Sequence, residues 1–287
     1  MKLKKIYAAL LSGVLLLSSC SSGANVPASI KYEDIDFSAV PATTEGNVAE
    51  VTLNKGDIYA VVSVKGYGEM KFKLFNDIAP TGVKNFIKLA ADGYYTGKNF
   101  HRVIADFMIQ GGSMTGDGKS GMPSGYSEFG LETNKNMRHF YGALAYGSAK
   151  NMNGAQFYIV NNKNYKAVDL TTLQDAIDYY EDYADQLKDS TEYKSYYEYY
   201  LAMAENYRGI KEFNESVPEE ITNKYKEIGG YPALDGGYTV FGQLLEGGDV
   251  LDKISAVEVV DDGTGKGNIT KPATEVIIEY VYVAIAE

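Results

Sequence analysis

The chain has no tryptophan, one cysteine, two histidines and seven prolines among its 287 residues. A single cysteine, Cys20, excludes any disulfide within the chain. His101 and His139 have no carboxylates clustered beside them, so a zinc ligand set is lacking and neither metal nor other cofactor is expected. No serine or cysteine lies in a nucleophile motif. Gly116-Asp117-Gly118-Lys119-Ser120-Gly121 fits G-x-G-x-x-G, but Met122-Pro123-Ser124-Gly125 cannot continue into the helix that dinucleotide binding needs. Cations are scarce as well. Lys and Arg total 27 against 38 Asp and Glu, a net of −11, which excludes tracking of a nucleic-acid backbone. The apolar stretch from Ile6 to Leu17 is too short to span a bilayer permanently.

What is present begins with a separate leader. Lys2, Lys4 and Lys5 precede the apolar stretch, which ends at Leu17-Ser18-Ser19-Cys20. This is the order of a secretory signal over residues 1–19. Its end resembles the bacterial lipobox, which implies lipidation of Cys20 and an extracytoplasmic lipoprotein held at the cell membrane by its acyl chains alone. Removal of the leader takes the net charge from −11 to −14. So acidic a chain is repelled by anionic head groups and weakly favours basic or unfolded polypeptides. Residues 20–49, rich in small and polar types, are expected to be a tether.

Strand patterns follow at Ile58–Val64 and Met70–Leu74, a hairpin about Gly66-Tyr67-Gly68. Pro80 opens a helix that Asp92-Gly93 stops. Further short strands are expected at His101–Ile104, Phe107–Gln110, Gly142–Tyr146, Ala155–Val160, Tyr238–Leu245 and Glu275–Val283, with a short helix about Val250, Leu251 and Ile254. Residues 163–230 differ. Leu170, Leu173, Ile177, Tyr180, Ala184 and Leu187 recur at spacings 3, 4, 3, 4, 3, and Tyr193, Tyr196, Tyr200, Met203, Tyr207 and Ile210 repeat them. These predict a helical hairpin, its second helix opened by an Asp189–Glu192 capping box. A third helix is expected from Ser216 to Gly229. The segment holds 8 basic and 15 acidic residues. Residues 50–162 and 231–287 thus form one domain that the 163–230 insert interrupts.

Phe100-His101-Arg102-Val103-Ile104 and Phe107-Met108-Ile109-Gln110-Gly111-Gly112 resemble the signature of the cyclophilin family. Ala79-Pro80-Thr81, Val83-Lys84-Asn85-Phe86, Asn153-Gly154-Ala155-Gln156-Phe157-Tyr158-Ile159, Leu234-Asp235-Gly236 and Val240-Phe241-Gly242 match in the same order. The resemblance implies a mainly β fold, an eight-stranded closed antiparallel barrel with capping helices, and peptidyl-prolyl cis/trans isomerisation of unfolded or exported polypeptides. It implies Arg102 as the catalytic donor, a proline pocket of Phe107, Met108 and Leu234, Gln110 orienting Arg102, and Gln156 on the substrate backbone. Gly147 and Ser148 stand where the family offers a backbone N–H. Tyr158 and Tyr238 replace the usual Phe and His at the pocket. Ala233 stands where many members carry an aromatic wall. His101, beside Arg102, is expected at the substrate face as a hydrogen-bonded structural residue, not an acid or base, since the reaction moves no proton. Period two puts Gln156 and Tyr158 on one strand face and Phe157 and Ile159 on the other. The competing reading is a non-catalytic polypeptide-binding module that uses the barrel and insert. The insert is expected beside the groove, its tyrosines either contacting clients or packing the hairpin.

Overall fold

A computed structural model describes residues 27–43, 45–119 and 121–287. The expected signal (1–19) and Cys20 lie outside the described residues. Among the described residues no helix is long and apolar enough to cross a membrane, and no group of three His, Cys, Asp or Glu could hold a metal.

The strands are β1 (Ile58–Val64), β2 (Gly68–Leu74), β3 (Phe100–Ile104), β4 (Met108–Gly111), β5 (Phe129–Gly130), β6 (Ala143–Ala149), β7 (Met152–Val160), β8 (Val240–Glu246), β9 (Val259–Asp261), β10 (Ile269–Pro272) and β11 (Ile278–Ile285). The helices are α1 (Pro80–Ala91), α2 (Leu170–Leu187), α3 (Lys194–Asn214), α4 (Glu219–Ile228) and α5 (Gly248–Ser255). One antiparallel sheet runs β11-β1-β2-β8-β6-β7-β4-β3, with β5 paired to β7; β9 and β10 form a separate hairpin. The fold is mainly β, as expected, but the architecture is a curled sheet and not a barrel closed by ladders. Its two ends meet at a single bridge, Asn99 to Ile277, where Phe100 N–H donates to Val276 O (2.9 Å) and Ile278 N–H to Lys98 O (2.7 Å). β8, which follows the insert, pairs between β2 and β6 in mid-sheet, so residues on both sides of 163–230 build one unit.

Alternation divides the side chains between two faces. Leu144, Tyr146, Phe157 and Ile159 enter the main core with Phe72, Phe86 and Phe241, covered by α1 and α5. Phe86 packs its ring 5.1 Å from Tyr95, 5.8 Å from Phe157 and 5.2 Å from Phe241. The intervening residues Ala143, Ala145, Tyr158 and Val160 form a second cluster with Met108 and Val240 on the opposite face. That cluster underlies the site described below.

Helix ends depart from the sequence reading for identifiable reasons. α1 has Pro80 in its first turn and no local side-chain cap; the carboxylate of Glu132, fifty residues away, accepts from Thr81 N–H (3.0 Å) and Gly82 N–H (2.8 Å). Asp169 caps α2 by accepting from Thr171 N–H at 2.9 Å. α3 starts at Lys194, later than the Asp189–Glu192 box implied, with Ser190 Oγ accepting from Tyr193 N–H (3.2 Å). α4 starts at Glu219, not after Ser216, because Pro218 keeps the preceding residue out of helical geometry. The α2–α3 seam uses Tyr180, Tyr183, Tyr200 and Tyr207, with Tyr180 and Tyr207 stacked at 5.6 Å. Tyr193 and Tyr196, expected on that seam, are exposed.

The described part of the expected tether is docked on the domain. Ile30 N–H donates to Val283 O (2.8 Å), and Asn47 is buried with its amide on Arg138 O (2.7 Å) and Gln243 Oε1 (3.0 Å). Lys224 of α4 donates to the carbonyls of Asn47, Val48 and Ala49 at 2.7, 2.8 and 2.6 Å. Polar composition marked this stretch as loop; its docking rests on backbone groups that composition does not register.

Candidate active site

Register brings the site together. β3 and β4 pair Arg102 with Gln110, and β4 and β7 pair Gln110 with Tyr158, so three cross-strand neighbours share one face. Gln156 is two residues from Tyr158 on the same strand and face. The Arg102 guanidinium donates to Gln110 Oε1 (3.4 Å), lies 3.8 Å from Met108 Sδ, and is centred 5.8 Å from the Phe107 ring centroid. Gln110 in turn donates to Gln156 Oε1 (3.0 Å), and Gln156 donates to the carbonyls of Gly118 (3.1 Å) and Lys119 (3.0 Å). This chain of amides turns Gln110 Oε1 toward Arg102. Gly147 permits it: a Cβ there would lie 3.0 Å from Gln110 Nε2.

These side chains border a cleft of about 150 Å³ lined by Arg102, Phe107, Met108, Gln110, Gly147, Ser148, Tyr158, Leu234 and Tyr238. Nine of the eleven side chains and backbone positions singled out from the sequence at the substrate face therefore converge on one hollow. The wall is mostly aromatic and aliphatic, with one cation at its edge. Burial is the main influence lowering the Arg102 pKa, partly opposed by Tyr238 and Asp262; a guanidinium nonetheless remains charged in proteins.

The two remaining residues sit beside the cleft. Gln156 is spent on the Gly118 and Lys119 carbonyls and on Gln110. His101 lines an adjoining hollow of about 220 Å³ that also shows it Arg102, Gln110 and Asp262. Burial first, then the charge of Arg102, lowers its pKa to about 4, so it is neutral near pH 7. Its Nδ1 is buried with no hydrogen-bond partner among the described residues, which corrects the expectation of a hydrogen-bonded ring. Ala233 does not border the proline-sized cleft. It lines a separate cavity with Val168, Leu173 and Tyr231, at the root of the insert.

Two supports escaped the sequence reading. Asn161 clamps the β3–β4 turn: its Oδ1 accepts from Phe107 N–H (2.8 Å) and its N–H donates to Phe107 O (3.1 Å). Behind Tyr158 lies a buried polar chain. Asp235 accepts from Arg138 (3.2 Å), from His139 N–H (2.8 Å) and Nδ1 (2.9 Å), and from the Tyr225 hydroxyl (2.8 Å). The His139 ring bridges the two ends of this chain, with Nδ1 2.9 Å from Asp235 Oδ1 and Nε2 2.9 Å from the Tyr158 hydroxyl. Burial raises the Tyr158 and Tyr225 phenols well above their ordinary range, keeping both as neutral donors.

Comparison with known proteins agrees with this geometry. The family described as "Cyclophilin type peptidyl-prolyl cis-trans isomerase/CLD" matches residues 59–283. A Staphylococcus epidermidis protein named "Putative peptidyl-prolyl cis-trans isomerase" is 36% identical over 222 residues, 77% of this chain and 89% of that protein. A Staphylococcus aureus protein of the same name is 34% identical over 230 residues, 80% of this chain and 93% of its own length. The crystal structure of a Cryptosporidium parvum cyclophilin-type isomerase superposes with a TM-score of 0.51 at 23% identity, covering 80% of this chain and 99% of that one. A second structure of that protein, obtained in the presence of the dipeptide Ala-Pro, gives 0.50 at 24% identity, covering 79% and 98%. The aromatic cleft with Arg102 at its edge belongs to a chain of the cyclophilin family, a cyclophilin-type peptidyl-prolyl cis-trans isomerase.

Proposed function

We propose that the chain isomerises X–Pro bonds of exported polypeptides by non-covalent stabilisation of the twisted amide, at the outer face of a membrane to which a lipid on Cys20 holds it. The uncatalysed barrier is about 18–20 kcal/mol. An acceleration of ~10⁵ needs about 7 kcal/mol of preference for the transition state. As the amide twists, conjugation is lost and the prolyl nitrogen gains a lone pair. Arg102 donates to that nitrogen, an interaction absent from the planar ground state. Phe107, Met108, Leu234, Tyr158 and Tyr238 hold the ring, and Gln110 sets the direction of the guanidinium. Ser148, with Gly147, offers backbone groups to the chain beside the proline. No group titrates and no covalent bond forms.

The observation that carries this reading is the Arg102 guanidinium at the edge of an aromatic cleft, fixed by Gln110. The relative whose structure was obtained with Ala-Pro supports the ligand class. A binding module with no turnover could use the same cation to hold a peptide carbonyl, so turnover and not binding separates the two readings. In a protease-coupled assay on a proline tetrapeptide, Arg102→Ala is expected to lower kcat/KM about 10²- to 10³-fold, the scale of removing one transition-state donor. Wild-type turnover no faster than the uncatalysed rate would sink the enzyme reading. For the anchor, labelled palmitate is expected to enter the wild-type protein in its host and not Cys20→Ser; equal labelling of both would refute it.

A further inference from the structure

The helical insert stands against the rim of the cleft and is fixed there at close range. Asn206 of α3 donates to Gly237 O (2.6 Å) and to Asn151 Oδ1 (3.2 Å), and Asn151 donates back to Ala202 O (3.0 Å). Gly209 of α3 and Gly236 meet backbone to backbone: a Cβ on Gly209 would lie 2.9 Å from Gly236 O. The chain so gripped, residues 234–238, supplies Leu234 and Tyr238 to the cleft wall. Burial first, then the neighbouring Tyr207 of α3, raises the Tyr238 pKa, and Arg102 opposes the shift.

Tyr207, Met203, Tyr199 and Tyr196 fall at helical spacing and share one side of α3. The stripe begins beside the cleft and leads away from it. Tyr207 is spent on packing against Tyr180, but Tyr199 is 39% and Tyr196 57% exposed, and Tyr193 continues the line at the helix tip with its ring 6.4 Å from that of Tyr196. Tyr199 sets its ring 5.6 Å from that of Tyr200, yet it, Tyr196 and Tyr193 keep much of their surface open to solvent, beyond what hairpin packing uses. From Tyr207 to Tyr196 the stripe is about 16 Å long, the reach of about five extended residues.

We propose that this stripe is an extension of the substrate groove, which binds the segment of the client polypeptide flanking the bound proline and favours aromatic and cationic residues in it. The proposal rests on the isomerase reading of the cleft. Continuity with the cleft names the occupant, since a chain whose proline sits between Leu234 and Tyr238 runs past α3 on leaving that rim. Tyrosine edges and faces suit aromatic and cationic side chains. The 15 acidic against 8 basic residues of the insert add the complementary charge.

The test uses the full chain and the double variant Tyr196→Gln with Tyr199→Gln, both at exposed sites. Substrates are a proline tetrapeptide and the same core extended by about five residues, carrying Lys and Tyr, on one side or the other. The tetrapeptide kcat/KM is expected to stay within about twofold, whereas the extended peptide that reaches α3 loses about five- to tenfold, through KM. Equal losses on short and long substrates, or no wild-type gain from either extension, would overturn the proposal. So would a variant whose sedimentation mass changes while KM does not, since the stripe would then serve a second copy of this chain. Wild-type turnover of the tetrapeptide checks the cleft separately, so the two failures are told apart.

Discussion

At Arg102 burial and function pull in opposite directions. A half-buried guanidinium has lost part of its water, and its replacements are one amide oxygen, a thioether and an aromatic face. None neutralises it, so its charge stays available to a substrate atom. His101 next to it takes the neutral form for the same reason, and this gives a pH signature. Its folded pKa of about 4 lies below the ordinary 6.5, so the unfolded chain takes up a proton first as pH falls. The stability it contributes is complete above pH 6.5 and is lost as pH falls toward 4, about 3 kcal/mol at the limit. In urea titrations the wild type is expected to lose more stability over that window than His101→Gln, while kcat/KM on peptides stays flat from about pH 6 to 9 because no step of the proposed mechanism needs a titrating group. Parallel stability profiles would show that His101 is hydrated when folded. The residues at the cleft were legible because motif and period two both placed them. The orphaned Nδ1 of His101 was not, since a hydrogen bond that fails to form leaves no mark in sequence.

Between elements, the chain from Tyr225 through Asp235 and His139 to Tyr158 ties α4 and the 234–238 segment to β7. Arg138 and Asp235 are each almost wholly buried, at 2% and 0% exposure, so the pair is costly to break. Asp235→Asn is expected to destabilise the protein by about 3–5 kcal/mol, because it strands the Arg138 charge. A denaturation midpoint near that of the wild type would mean that the pair is hydrated or dispensable. Asp235 and His139 lie 96 positions apart, and periodicity reports only on neighbours within a few residues. The same limit explains the Glu132 cap of α1, which composition near Pro80 could not announce. Heptad spacing found α2 and α3 because their partners are each other. It placed Tyr196 on the seam wrongly, because α3 opens only two residues before it.

Across the molecule, the sheet curls around one core and leaves its opposite face to the cleft. Alternation in sequence identified the faces; it did not determine closure, which here rests on one bridge between Asn99 and Ile277. The insert is fastened to the rest of the chain by Asn206 on Gly237, Tyr225 on Asp235 and Lys224 on the carbonyls of the segment before β1. In the proposed mechanism Arg102, held toward Gln110 at the edge of the cleft, is the donor to the twisted amide. Its role is measured most directly by NMR on one proline peptide, reading cis/trans exchange and binding in the same sample. For Arg102→Ala the exchange rate at saturation is expected to fall about 10²- to 10³-fold while the peptide Kd moves less than about threefold, since the donor acts on the twisted amide and not on the planar one. Exchange preserved within about tenfold, or lost only in proportion to Kd, would contradict the account.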